Sequence, residues 1–525
     1  MAEKLWKACS EGKVEEVKKL LQNPQINRNW QDSSNRTPFY IACFKGHIEI
    51  VKLLLNDKRV DINKSMNDGI TPLVVVCEKG QIEIVKLLLN HKRIDINKAR
   101  RSDETPFYIT CRSGNIEIVK LLLNDKRVDT NKANEYGCTP LGAACQEGHI
   151  ETFKLLLSDN RVDINKLNGD GWTPFYIACY YGHIEIVKLL LNDQRVDINK
   201  VDKSEATPFH RTCEEGHIEI VNLLLNDKRI DISKANIYDQ TPFYIACCYG
   251  HIEIVKLLVN DKRKVNITKE NKFGQTPFYT ACSKGHLEIV KLVLNDERVD
   301  INKADEDGWT PFHSAIENGY FEIVTLLLND ERVDINKPNG DSWTPFYIAC
   351  YHGHIEVVKL LLNDYRVDIT KANDDGVTPL YIACGYGRIE IVKLLLNSKR
   401  IDINHQNIFL YNFTVLHYTC RNGYIKSVQY ILAMRREVNL NVEDDQGMTP
   451  IDCAKEDFPG KKKNCTEIVE LLESFERNPN ETRTKLRMQL GFPGKLFYLI
   501  FYFFFFYINF FQILILILIL SSFQL

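Results

Sequence analysis

The chain has 525 residues, 44% of them hydrophobic and 26% charged, and a formal net charge of −2. So long a chain cannot be wrapped round one compact core. So even a balance of charge supplies no global field to draw in nucleic acid or an acidic substrate.

At the amino end, Met1 to Gly12 is charged and lacks an apolar centre, so a signal peptide is not expected. Leu5, Trp6, Ala8, Cys9 and Gly12 fall in register with Phe39, Tyr40, Ala42, Cys43 and Gly46, and Lys7 stands where the later copy has Ile41. Residues 1–36 therefore read as a capping unit with a polar outer side. At Thr37 a Thr-Pro pair opens a series spaced by 34 residues, through Thr71, Thr105, Thr139, Thr173, Thr207 and Thr241. One 35-residue step, with its extra residue near Lys264, leads to Thr276, and the series continues at Thr310, Thr344 and Thr378. A fixed period in the thirties marks a stacked repeat array.

The copy at Thr173, TPFYIACYYGHIEIVKLLLNDQRVDINK, explains the unit. Thr173 suits a helix N-cap, Pro174 the first helical turn and Gly182 the left-handed stop. A second helix starts at Ile184, apolar except for the stripe Glu185, Lys188 and Asn192. Such a hairpin needs a neighbour on each side to cover it. Residues 37–410 are expected to hold eleven regular units. Residues 411–475 hold a degenerate unit at Thr414, followed by Val415 instead of Pro, and a closing cap at Thr449. The fold class expected is all-α, a solenoid of about fourteen helix-turn-helix units including two caps.

Residues 476–495 read as a polar, basic linker. Leu496 to Leu520 carries no charge and as a helix spans roughly 37 Å, against about 30 Å of bilayer core. The length argument makes residues 496–520 a transmembrane helix, a tail anchor with the solenoid on the cytosolic face of a membrane. The same run, low in complexity and rich in strand formers, also reads as translated non-coding sequence.

TPFYIACxxGHIEIVKLLL resembles the ankyrin repeat, whose usual form is TPLHxAAxxGHxxIVxxLL, and the resemblance runs from about residue 4 to 473. The His of TPLH persists as His210, His313 and His417, while most copies have Tyr. Cys replaces the second Ala, and the loop NDxRVDINK is one residue longer than usual. The resemblance implies an ankyrin-repeat solenoid that binds a protein partner on a concave face. That face is made from the turn before each Thr-Pro and the end of the first helix. At those positions the chain places two aromatic groups, Trp172, Tyr180 and Tyr181, then Trp309, Trp343, Tyr351, His352 and Tyr386. Trp and Tyr are frequent interface anchors; a Trp in such a turn also packs on its neighbouring hairpin.

Twelve of the sixteen cysteines share one repeat position, from Cys9 to Cys420. Stacked helices lie about 8–10 Å apart, beyond the roughly 7 Å between Cα atoms that a disulfide spans. They are expected to be reduced apolar fillers, which points to the cytoplasm. His47-Ile48-Glu49 and its relatives match the H-x-E of zinc deaminases but lack the P-C-x-x-C partner. No phosphate-cradling loop, nucleophile elbow or metalloprotease motif occurs. No catalytic residue, cofactor or metal is expected. The function expected is a non-catalytic scaffold or adaptor for a protein partner, tethered to a membrane by its C-terminus. The alternatives are the regulatory domain of a membrane receptor or channel-like assembly, and an adaptor subunit of a ubiquitin ligase or phosphatase.

Overall fold

A computed structural model describes residues 1–408, 410–434, 437–456 and 465–492. Among the described residues there are twenty-nine helices and no strand, only an isolated bridge between Asn407 and Phe413. They fall into two units, Met1–Lys272 and Phe273–Leu525. The first unit holds eight helix pairs, from Ala2–Glu11 with Val14–Leu21 to Pro242–Tyr249 with Ile252–Val259. The second holds six, from Pro277–Lys284 with Leu287–Leu294 to Pro450–Lys455 with Cys465–Arg477, and one more helix, Pro479–Gln489. The all-α repeat architecture is therefore the one the period implies, with eight and six pairs making fourteen.

Within each unit, first helices pack on first helices and second on second. The Thr173 hydroxyl accepts from the Tyr176 N–H at 3.1 Å, satisfying a donor the helix cannot. Phe175, Ile186, Val187 and Leu190 are wholly buried. Gly182 closes the first helix at φ 80°. A Cβ there would lie 2.7 Å from the His217 ring, so this glycine serves both the left-handed turn and the close approach of the next repeat.

That ring has a purpose. His217 Nε2 meets the Tyr180 carbonyl at 2.9 Å. His183 does the same to Gln146 and His251 to Glu214, as does His354 to Glu317 in the second unit. The His of each Gly-His-Ile-Glu thus staples one repeat to the one before it. Among the described residues, no three metal-capable side chains gather. None of the sixteen cysteines is in a disulfide, and all but Cys248 are buried. Burial pushes the Cys179 thiol up to about 12, so it packs as a small apolar group.

The polar loop is as ordered as the helices. Asn131 Nδ2 donates to the Arg161 carbonyl at 2.6 Å, and its Oδ1 accepts from the Asp163 N–H at 2.8 Å. The same double bond forms at Asn97 and Asn165 in the first unit and at Asn302 and Asn336 in the second. Arg161 pairs with Asp159 at 2.6 Å and donates to the Leu123 carbonyl at 2.6 Å, capping the preceding second helix. NDxRVDINK is thus a ladder of rungs between repeats. Ser233 and Thr370 replace the rung Asn, and their hydroxyls turn back on Asp231 and Asp368. A cavity of about 240 Å³ opens beside Thr370, Arg400 and Ile403.

One sequence expectation needs correction at the carboxyl side. The stretch 476–495, read as a linker, is helical over Pro479–Gln489. Asn478 caps this helix, and Thr482 and Leu486 are buried. Arg483 and Arg487 donate to the carbonyls of Leu432 and Ala433 at 3.4 and 3.1 Å. The basic residues that suggested a solvated linker instead satisfy the free end of Ile425–Ala433, where cations are favoured. Among the described residues, no helix is long and apolar enough to cross a membrane. The expected membrane helix, 496–520, lies outside the described residues.

Candidate functional site

At Trp172 and at Trp343 the residue before Thr-Pro meets the one eight positions later, because the hairpin folds back on the first helix it precedes. In the first unit, the Trp172 ring stacks on Tyr176 at 5.0 Å and lies tilted against Tyr180 at 4.9 Å. Tyr180 meets Tyr181 edge-on at 5.0 Å, and Tyr181 is 43% exposed. In the second unit, Trp343 lies 5.2 Å from both Tyr347 and Tyr351. Tyr351 continues to His352 at 4.9 Å and to Tyr386 of the next repeat at 4.6 Å. Tyr386 is 54% exposed. Burial, then the nearby His354 and Arg388, hold His352 below the ordinary imidazole range.

Trp309 stands apart. Its ring meets His313 edge-on at 5.9 Å, and the residue eight positions on is Glu317, not an aromatic. Trp343, Tyr351, His352 and Tyr386 therefore form one contiguous patch, while Trp309 borders it through His313, whose Nε2 meets the Trp343 carbonyl at 3.2 Å. The tryptophans are half-buried against their own hairpins. The surface offered outward is their edges plus the tyrosines.

The position of Tyr176 carries a further role. In three repeats of the first unit the tyrosine at this position reaches the residue that opens the next hairpin. Tyr108 accepts from Asn134 at 3.1 Å and Tyr244 from Asn271 at 2.9 Å. Tyr176 donates to Asp202 at 2.6 Å, and there the network grows. Arg211 donates to Tyr176 at 2.6 Å, to Asp202 at 2.9 Å and to Glu214 at 2.5 Å, and exposed Tyr249 donates to Glu214 at 2.8 Å. Burial alone would raise the Asp202 pKa; the bonds from Tyr176, Arg211 and Ser204 together outweigh it and hold the carboxyl at about 2. Sequence reasoning missed this network. Its signal was legible, since Arg211 occupies the column filled by Ile177 and Ile245 in neighbouring copies. These groups are all partnered and form a brace, with no nucleophile or base left poised over a cavity.

Family comparison covers nearly the same span as the helix pairs. A model described as ankyrin repeats (3 copies) matches residues 5–100, 95–168, 160–236, 194–270, 243–339 and 330–407. A second, ankyrin repeats (many copies), matches 383–432. A search of the curated proteins finds no match.

Proposed function

The chain belongs to the ankyrin-repeat family, a family of protein–protein interaction domains, and on that premise we propose that it is a non-catalytic scaffold whose main docking surface is the aromatic patch of the second unit. The observation that carries this reading is the run of ring contacts from Trp343 through Tyr351 to Tyr386, which crosses from one repeat to the next. A packing role alone explains a Trp against its own hairpin. It does not explain an exposed Tyr386 continuing the patch over the neighbouring repeat. Trp and Tyr supply large, rigid contact area at low entropic cost, and such anchors dominate interface energies.

Replacing Trp343 and Tyr351 by Ala together is expected to lower partner capture from cell extract by at least about tenfold, the loss of one hot-spot residue or more. The melting temperature should move by only a few degrees. Equal loss of capture and of folding would make these residues structural and overturn the assignment.

A tether through Leu496 to Leu520 belongs to the same proposal and rests on span length alone. Full-length protein is expected in the membrane fraction and a chain ending at residue 475 in the soluble one. Full-length protein found wholly in the soluble fraction would end the tether and leave the scaffold standing.

A further inference from the structure

Several acids near the hairpins of the first unit are held by cations, and those beside the rings of the second unit are not. In the first, Arg101 faces Asp68, Arg100 and Arg112 hold Glu104, Arg211 holds Asp202, and Lys269 faces Asp239. In the second, Asp305, Asp307, Asp341, Asp374, Asp375 and Glu317 form no ion pair among the described residues; the pairs there lie in the loops, on the second helices and at the carboxyl end. Lys337, which leads into one of these hairpins, is spent on the Asn302 carbonyl at 3.3 Å.

These carboxylates border the rings. Asp305 accepts from the Trp309 N–H at 2.9 Å. Glu317 stands in the Tyr351 column, and burial, followed by the charge of Asp305, pushes its carboxyl upward. Burial, then the neighbouring Tyr386 and the charge of Asp375, push up the phenol of Tyr347, against which Trp343 packs. On the opposite border Arg388 donates to the Tyr351 carbonyl at 3.1 Å. The patch thus joins ring faces, which attract cations, to carboxylates that no cation of their own neutralises.

We propose, building on the docking surface above, that the partner is a basic extended segment whose lysines or arginines lie over the Trp343, Tyr351 and Tyr386 rings and against the hairpin carboxylates. Stacked helices repeat about every 8–10 Å. A polyproline II segment returns to the same side every three residues, about 9 Å. The fitting segment therefore carries a basic residue at every third position.

The test uses the full-length chain and labelled dodecapeptides with Lys or Arg at every third residue, beside matched sets with Gln or Glu there. Binding is read by fluorescence anisotropy. The basic set is expected to bind at least about tenfold more tightly than the Gln set and to weaken several-fold on raising salt from about 0.05 to 0.3 M. Glu317→Gln, Asp341→Asn and Asp374→Asn combined should weaken it about tenfold with unchanged melting. Glu135→Gln with Asp170→Asn, in the first unit, should leave it unaltered. Equal weakening by both sets of neutralisations would reduce the effect to general charge attraction and overturn the inference. Equal binding of the basic and Gln sets, still lost in the Trp343→Ala, Tyr351→Ala chain, would overturn the charge preference and keep the docking surface. No binding by any set would overturn the inference, leaving the surface to be judged by capture.

Discussion

Replacing Arg211 by Ile is expected to destabilise the first unit by roughly 3–5 kcal/mol, although isoleucine is what neighbouring copies carry there. The Asp202 side chain is 4% exposed and that of Arg211 24%. Removing the guanidinium leaves a carboxylate inside the stack with only the Tyr176 and Ser204 hydroxyls and backbone N–H groups, and an orphaned buried charge costs about that much. The partial exposure of Arg211 favours the lower end. Adding Asp202→Asn should recover most of the loss, because Asn stands with Ile at Asn168 and Ile177 and at Asn236 and Ile245, and Asn134 bonds Tyr108 without any arginine. Hydrogen exchange of the amides in Pro208–Glu214 reads the local effect where a global midpoint would dilute it over an array. If the single variant costs no more than the double, the arginine is not neutralising Asp202.

Acid is expected to weaken both units well before carboxylates protonate. His210 Nδ1 accepts from the Thr207 N–H at 3.1 Å, and its Nε2 meets the Gln240 carbonyl at 3.0 Å. His313 repeats this with Thr310 and Trp343. A proton on Nδ1 would set N–H against N–H. Burial, opposed by the carbonyl bond, lowers both pKa values from 6.5 to about 4, and His417 is lowered in the same way. A folded pKa below the unfolded one stabilises the fold fully above pH 6.5, and that stability is lost progressively as pH falls from 6.5 through 4. At 1.36 kcal/mol per pKa unit, each of the first two histidines accounts for roughly 3 kcal/mol. The chain carrying His210→Tyr, His313→Tyr and His417→Tyr, which restores the commoner residue, should show a flatter profile of urea midpoint against pH between 7 and 4. Parallel profiles for the two chains would refute the assignment.

The helix pairs were legible because the same apolar columns recur in every copy, from Phe39 to Phe346, and a stack has few other ways to bury them. The loops were not, because Asn131 and Arg161 read as ordinary surface polarity until the neighbouring repeat is in place. His217 failed for the same reason: its partner, the Tyr180 carbonyl, is a backbone group that no motif records. The last helix escaped notice because it buries only Thr482 and Leu486, too few for a periodic signal. The aromatic patch was visible in the varying columns, but Trp309 was grouped with it on position alone, whereas the ring contacts depend on what stands eight residues on.

The rungs also determine how the molecule yields to force. Tension along the stacking direction loads the loop bonds of neighbouring repeats together, and an intact rung shares that load between two bonds. At Thr370 the rung is missing and a void lies alongside, so under stretching the second unit should part at this seam first, with the repeats on either side still folded.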